Sequence, residues 1–289
     1  SRSCGGGSVF WEREVEVPGL PADVYPTNVS LACSGRSEMC DDGVITVVEK
    51  PKPVFILLPG IAGSYLDNEN GNVLRKGESW PNIGELMVGL ADSNLIGLYL
   101  TGLDTLRLQS DGIRPQTSAD DIIAREPLWK APIDSDFYDT FRNRIVDEGW
   151  GTFVPCPYDW RLAVDSSVTM DTVTECVDRA RAGETDNMQG DSKSTRQPAG
   201  PVVLVGHSLG GIVARAFVAD SARAVRVDRV ISVGTPYLGA PVMLSRLSTG
   251  RTGIKPMEFN ALVTAKVAEL YRNAPAVQYL LPSSDYGGS

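Results

Sequence analysis

The chain has 289 residues, of which 42% are hydrophobic and 22% charged, and its formal net charge is -9 at pH 7. A chain of this length can bury a full core, which excludes a small disulfide-built scaffold, and no apolar run approaches the roughly 20 residues of a membrane-spanning helix. The acidic balance, with Lys and Arg dispersed, repels phosphate backbones and argues against nucleic acid as a partner.

The sequence opens on Ser1-Arg2-Ser3 with no charged-then-apolar signal segment behind it, so its natural start is expected upstream or removed by processing. Residues 10–49 hold short alternating runs at 14–17, 29–31 and 44–48, separated by Pro-Gly, Pro-Ala and Asp-Asp-Gly turns. That grammar predicts a β-rich segment over residues 1–50, either an N-terminal extension or the tail of an upstream β-domain. Cys33 and Cys40 flank a polar loop here. A local disulfide between them would suit an exported protein, with two free thiols as the alternative, and Cys156 with Cys176 is a second pair. The five cysteines fit no zinc spacing, so no metal and no organic cofactor is expected. Lys50-Pro51-Lys52-Pro53 reads as a linker.

From residue 51 onward buried strands alternate with helices, which predicts a mostly parallel sheet with helices on both faces. Strands are expected at 54–58, 152–155, 202–205 and 229–233. Helices are expected from the Asp165 or Ser166 cap to about 182 and over 209–219. Residues 183–200, polar and without periodicity, predict a surface loop, and residues 240–281 read as helix and loop.

The chemistry-bearing motif is Val205-Gly206-His207-Ser208-Leu209-Gly210-Gly211, a G-x-S-x-G between a strand and an amphipathic helix. Ser208 is expected on a tight, strained turn, with Gly206 and Gly210 present because side chains there would strike neighbouring backbone. The turn would push the hydroxyl outward over the positive end of the following helix. Leu58-Pro59-Gly60-Ile61-Ala62-Gly63 follows the first buried strand. In such an arrangement the backbone N–H groups of Ile61 and Leu209 are the expected oxyanion donors. His207 lies beside Ser208 in the same turn and cannot swing round as its base; a hydrogen-bonded packing role is expected.

These pieces, taken with Trp80-Pro81-Asn82, Pro157-Tyr158-Asp159-Trp160-Arg161 and Gly234-Thr235-Pro236-Tyr237-Leu238-Gly239-Ala240, resemble the lecithin:cholesterol acyltransferase family of α/β-hydrolases. That family includes lysosomal phospholipase/transacylases and bacterial lipases. The resemblance runs from about residue 53 to 283. It implies Ser208 as nucleophile, Ile61 and Leu209 as oxyanion donors, and a mobile lid between the first strand and Tyr158. The lid candidate is residues 71–100, with Trp80 and the apolar run 83–90, which reads equally as a core helix. Asp159, Trp160 and Arg161 are expected to form buried scaffold under the site.

In this fold an acid and then a histidine follow the serine, yet no histidine follows Ser208. The later acids Asp220, Asp228, Glu258, Glu269 and Asp285 do not follow a strand where the triad acid belongs. The C-terminal part of the domain is therefore expected to lie beyond these residues, and the 289 residues alone are expected to be inactive. The expected function is a serine-dependent, exported hydrolase or acyltransferase acting on lipid esters through an acyl-enzyme, with transient contact to a lipid surface. Two alternatives stay open: an esterase, thioesterase or amidase on non-lipid substrates, and a non-catalytic hydrolase-like binding module. Oligomeric state is not readable from the residues.

Overall fold

The computed structural model describes residues 23–33, 36–47, 51–68, 78–80, 96–112, 122–127, 130–131, 135–136, 138–184, 200–251, 258 and 260–286. The expected strand at 14–17, the apolar run 83–90 and most of the expected 183–200 loop lie outside them. The chain divides into two compact units, Ser1–Pro51 and Lys52–Ser289.

In the first unit, β1 (Asp23–Cys33) and β2 (Arg36–Val47) form an antiparallel hairpin. The Asp41-Asp42-Gly43 stretch, expected as a turn, lies inside β2. Thr27 faces Gly43 and Val29 faces Cys40, so β2 carries one extra residue there, a β-bulge. The register also corrects the expected Cys33–Cys40 disulfide. Cys33 faces Arg36 while Cys40 faces Val29, which separates the two cysteines by four positions along the ladder. At about 3.3 Å per residue that is roughly 13 Å, well past the span a disulfide bridges.

The second unit is built on a four-stranded parallel sheet in the order β11-β10-β3-β9, an α/β-hydrolase architecture. Its strands are β3 (Val54–Leu58), β9 (Thr152–Pro155), β10 (Val202–His207) and β11 (Arg229–Val233). β3 and the first four residues of β10 are continuous runs of Val, Leu, Ile and Phe, because both of their faces are covered. Alternate residues of β3 show this. Val54, Ile56 and Leu58 join the main core with α3 (Ser167–Arg181), α4 (Leu209–Val218) and α7 (Ala261–Asn273). Phe55 and Leu57 pack instead with Phe153 and with Phe141 and Ile145 of α2 (Asp139–Asp147). Helices therefore lie on both faces. The Ser166 side chain caps α3 by accepting the Thr169 N–H at 3.2 Å, as its position before the helix predicts.

A second, antiparallel sheet orders β5 (Glu78–Trp80), β4 (Ser64–Asn68) and β6 (Ile122–Pro127), followed by the small ladder β7 (Lys130–Ala131) with β8 (Ser135–Asp136). Part of the expected lid range is thus strand. Its last residues, 96–100, open α1 (Ile96–Thr105), whose Tyr99 and Leu103 are buried in the main core. Beyond β10 come α5 (Ser221–Ala224) and α6 (Val242–Thr249), and the 3-10 turn Pro275–Leu280 closes the described chain over the core.

Cys156, at the end of β9, and Cys176, on α3, form a disulfide with a Cα–Cα distance of 5.8 Å. The bond ties the sheet to a helix of the main core and closes a loop of sequence separation 20. On chain-entropy grounds a closed loop of this size stabilises by about 3 kcal/mol. The double variant Cys156→Ala/Cys176→Ala is expected to lose stability of that order in urea unfolding, and an unchanged midpoint would contradict it.

Candidate active site

The register of the parallel sheet places the site. Gly206 of β10 pairs with Leu58 of β3 on one side and Ser232 of β11 on the other, so the strands end level with one another. The loops that leave their carboxyl ends, Pro59-Gly60-Ile61 after β3 and His207-Ser208 after β10, are thereby brought side by side.

Ser208 has φ 52° and ψ -119°, a conformation rarely open to a residue with a side chain. Such backbone costs on the order of 1–3 kcal/mol and persists only where its surroundings over-determine it. The surroundings do so here. The Ser208 N–H donates to the Val233 carbonyl at 2.9 Å, and the Ser208 carbonyl accepts the Gly211 N–H at 3.0 Å. The glycines permit the packing that closes the turn. A Cβ at position 206 would stand 2.4 Å from the Gly211 Cα, and one at 210 would stand 2.1 Å from the Leu58 carbonyl oxygen. The α4 N-terminus is therefore pressed directly onto the end of β3.

Ser208 is half-buried, and its side chain makes no capping bond to α4. Leu209 is the first residue of that helix, so its N–H has no intrahelical acceptor. Across from it, a Cβ on Gly60 would lie 3.1 Å from the Ser208 Cβ and 3.1 Å from His207 Nδ1. The oxyanion-loop candidate is thus in contact with the nucleophile candidate. A turn follows, with the Gly63 N–H donating to the Gly60 carbonyl at 3.0 Å and Ala62 at φ 59°. Ile61, the next residue after Gly60, is partly exposed on this loop, and among the described residues no acceptor takes its N–H.

His207, the only histidine in the chain, is held rather than free. Its Nδ1 lies 2.9 Å from the Tyr138 hydroxyl, and burial pushes its pKa below the ordinary 6.5. Four of the later acids have partners of their own. Asp220 caps α5, Asp228 accepts the Val202 N–H at 2.7 Å, Glu269 pairs with Arg107 and Lys266, and Asp285 accepts the Ser284 hydroxyl. Among the described residues no three His, Cys, Asp or Glu side chains converge as metal ligands.

Asp159 and Arg161 form a buried pair in which the guanidinium reaches both carboxylate oxygens, at 2.8 and 2.5 Å, and the Leu106 carbonyl. Trp160 is fully buried against Tyr271. These three residues follow Tyr158 directly and brace the loop that carries it. Two contacts escaped the sequence reading. The Tyr158 hydroxyl donates to the Pro59 carbonyl at 2.7 Å, and the Tyr138 hydroxyl accepts the Gly60 N–H at 2.9 Å. Tyr158 stood inside a recognisable motif, whereas nothing in the sequence around Tyr138 marked it.

Two outcomes follow from this geometry. Gly210→Ala is expected to cost about 1–3 kcal/mol in urea unfolding, since the added methyl meets carbonyl oxygens that cannot withdraw; an unshifted midpoint would contradict the packing. For His207, burial favours the neutral ring in the folded state, so the unfolded chain takes up its proton first as pH falls. The stability this residue contributes is full above pH 6.5 and is lost as pH drops from 6.5 through the lower folded pKa. Melting curves of wild type and His207→Gln should therefore diverge in slope below pH 6.5; parallel pH profiles would contradict the depressed pKa.

No curated protein matches the chain. A crystal structure of a Tle4-Tli4 complex contains a similar chain at 17% identity and a TM-score of 0.43, with 82% of this chain and 56% of that chain covered. The present chain thus spans little more than half the length of that one. The family model for lecithin:cholesterol acyltransferase matches residues 137–287, a stretch that contains Tyr138, the Tyr158-Asp159-Trp160-Arg161 loop, the Ser208 turn and the Gly234–Ala240 segment. With more than half of its length so matched, the chain belongs to the lecithin:cholesterol acyltransferase family.

Proposed function

We propose that the protein is a serine-dependent lipid-ester hydrolase or acyltransferase in which Ser208 is the nucleophile. The observation that carries this reading is the forced positive φ of a half-buried serine at the junction of β10 and α4. Family membership supports an ester of a lipid as the substrate class.

The chemistry runs from the geometry. The Ser208 Oγ attacks the ester carbonyl carbon while a base takes its proton, and the carbonyl oxygen becomes an oxyanion. The Leu209 N–H, at the positive end of α4, and the Ile61 N–H are the donors for that charge. Collapse of the intermediate expels the alcohol, which takes the proton back from the base. Water or a second alcohol then attacks the acyl-enzyme, giving hydrolysis or transfer.

His207 is not that base, because the Tyr138 contact holds its Nδ1 and the tight turn fixes its ring. We place the base and its acid on polypeptide other than the 289 residues. The state of the sheet supports this placement. Among the described residues β11 pairs only with β10, and its Ile231 and Val233 are 38% and 47% exposed, whereas strands of parallel sheets are ordinarily covered. A further strand laid along that edge would bring its carboxyl end beside Ser208. The Cys156–Cys176 disulfide supports an exported protein, and no helix among the described residues is long and apolar enough to cross a membrane.

The test is labelling of the full-length protein with a long-chain alkyl phosphonate, followed by peptide mass mapping. Modification of Ser208 is expected, with ester turnover falling on the order of 10⁴- to 10⁶-fold in Ser208→Ala. An unlabelled Ser208, or turnover that survives the substitution, would overturn the reading. A panel of acyl chain lengths and head groups then separates lipid esters from small esters, thioesters and amides.

A further inference from the structure

We propose that Tyr138 and Tyr158 are paired positioning residues that clamp one peptide group, Pro59–Gly60, and thereby set the direction in which Ile61 presents its N–H to the reacting oxygen. The inference rests on the reading of Ser208 as nucleophile.

The carbonyl of Pro59 and the N–H of Gly60 are the two polar ends of a single planar unit. A peptide between two fixed Cα atoms keeps one soft motion, rotation about the line joining them, which swings its carbonyl and N–H in opposite directions. Tyr158 donates to the carbonyl end at 2.7 Å and Tyr138 accepts from the N–H end at 2.9 Å, and both bonds are buried. Together they stop that rotation. The Ile61 N–H belongs to the following unit, Gly60–Ile61, whose carbonyl accepts the Gly63 N–H at 3.0 Å, so with the Pro59–Gly60 unit clamped before Gly60 and this bond beyond it, the Ile61 N–H is held from both sides.

Each phenol is itself held. Tyr158 leaves the end of β9, its N–H donates to the buried Ser64 hydroxyl at 3.3 Å, and the Asp159–Arg161 pair braces the following residues. Tyr138 opens α2 and packs with Leu57, Ile145 and Phe153. Gly63 leaves room for its hydroxyl, since a Cβ there would stand 3.0 Å from the Tyr138 oxygen. Both phenols are protonated at neutral pH, and burial raises them further, Tyr138 to about 12. The Tyr138 hydroxyl accepts the Gly60 N–H and also lies within hydrogen-bond distance of His207 Nδ1, at 2.9 Å. One hydroxyl thus couples the oxyanion loop to the residue preceding the nucleophile. Neither phenol is placed to exchange a proton with substrate; their effect is preorganisation, which oxyanion stabilisation requires.

The test uses the full-length protein, with Tyr138→Phe, Tyr158→Phe and the double variant, a soluble ester, and a trifluoromethyl ketone that forms a tetrahedral adduct. Each single variant is expected to lose about 10- to 100-fold in kcat with KM within about two-fold, a part of what deleting an oxyanion donor costs. Affinity for the ketone should weaken in step with kcat, and the double variant should lose less than the product of the singles, because either change releases the same peptide group. A structural role alone would not link kcat to adduct affinity at constant KM. Wild-type amide exchange gives a readout independent of the variants' folding. The Gly60 N–H should be protected and the Ile61 N–H should exchange fast in the free protein, with Ile61 becoming protected in the phosphonate adduct. Wild-type kcat and ketone affinity in both folded variants, or equal exchange at Gly60 and Ile61, would overturn the clamp while leaving Ser208 as nucleophile. Failure of wild-type Ser208 to react with the phosphonate would overturn the serine reading and the clamp with it.

Discussion

A strand that must become a helix within a single residue has to place that residue at positive φ, and the whole site follows from this reversal at Ser208. The turn closes only if the first turn of α4 lies flat against the ends of β10 and β3. Gly206, Gly210 and Gly211 supply that closeness, because a methyl group at any of them would overlap backbone or the Thr235 side chain. The same contact brings an unsatisfied helix N-terminus beside the half-buried Ser208. Strain in one residue and missing side chains in three are thus two sides of one arrangement.

The parallel register levels the ends of β3, β9 and β10, so three loops meet at one place. Each loop then carries a constraint on its neighbour. The β9 loop holds the β3 loop through Tyr158, the β3 loop touches the Ser208 side of the turn through Gly60, and the β10 loop is tied to β11 through the Val233 carbonyl. The buried Asp159–Arg161 pair belongs to this support. Its desolvation is offset by a two-pronged geometry and by the Leu106 carbonyl, so each nitrogen of the guanidinium has an acceptor.

The parts of this arrangement that were legible in the sequence are those governed by local pattern. Continuous apolar runs beside Gly and Pro marked β3 and the start of β10, because strands covered on both faces leave no polar alternation, while β9 and β11 were marked by shorter β-branched and aromatic stretches. Ser166 marked the start of α3 through its capping role, and G-x-S-x-G between strand and helix marked the turn. Other parts were set by long-range contact and left little local signal. Helix α2 has only Ile145 fully buried, so its pattern is faint, yet it carries Tyr138 to the site. The antiparallel sheet of β5, β4 and β6 depends on pairing across many residues; only β5 falls within the 71–100 lid range, and β4 and β6 carry little local signal. The Asp41-Asp42-Gly43 stretch shows the same ambiguity, since bulges and turns draw on the same residues. Cys33 and Cys40 were close in sequence, but only the register reveals that they stand far apart along the ladder.

The central claim is that the turn at residue 208 sets a serine oxygen opposite two amide hydrogens from separate loops. Its most direct measurement is a crystal structure of the phosphonate adduct of the full-length protein. The account predicts phosphorus bonded to Ser208 Oγ, with one phosphonyl oxygen about 2.7–3.1 Å from both the Ile61 and Leu209 nitrogens. A phosphonyl oxygen turned toward solvent, or satisfied by donors other than these two, would contradict it.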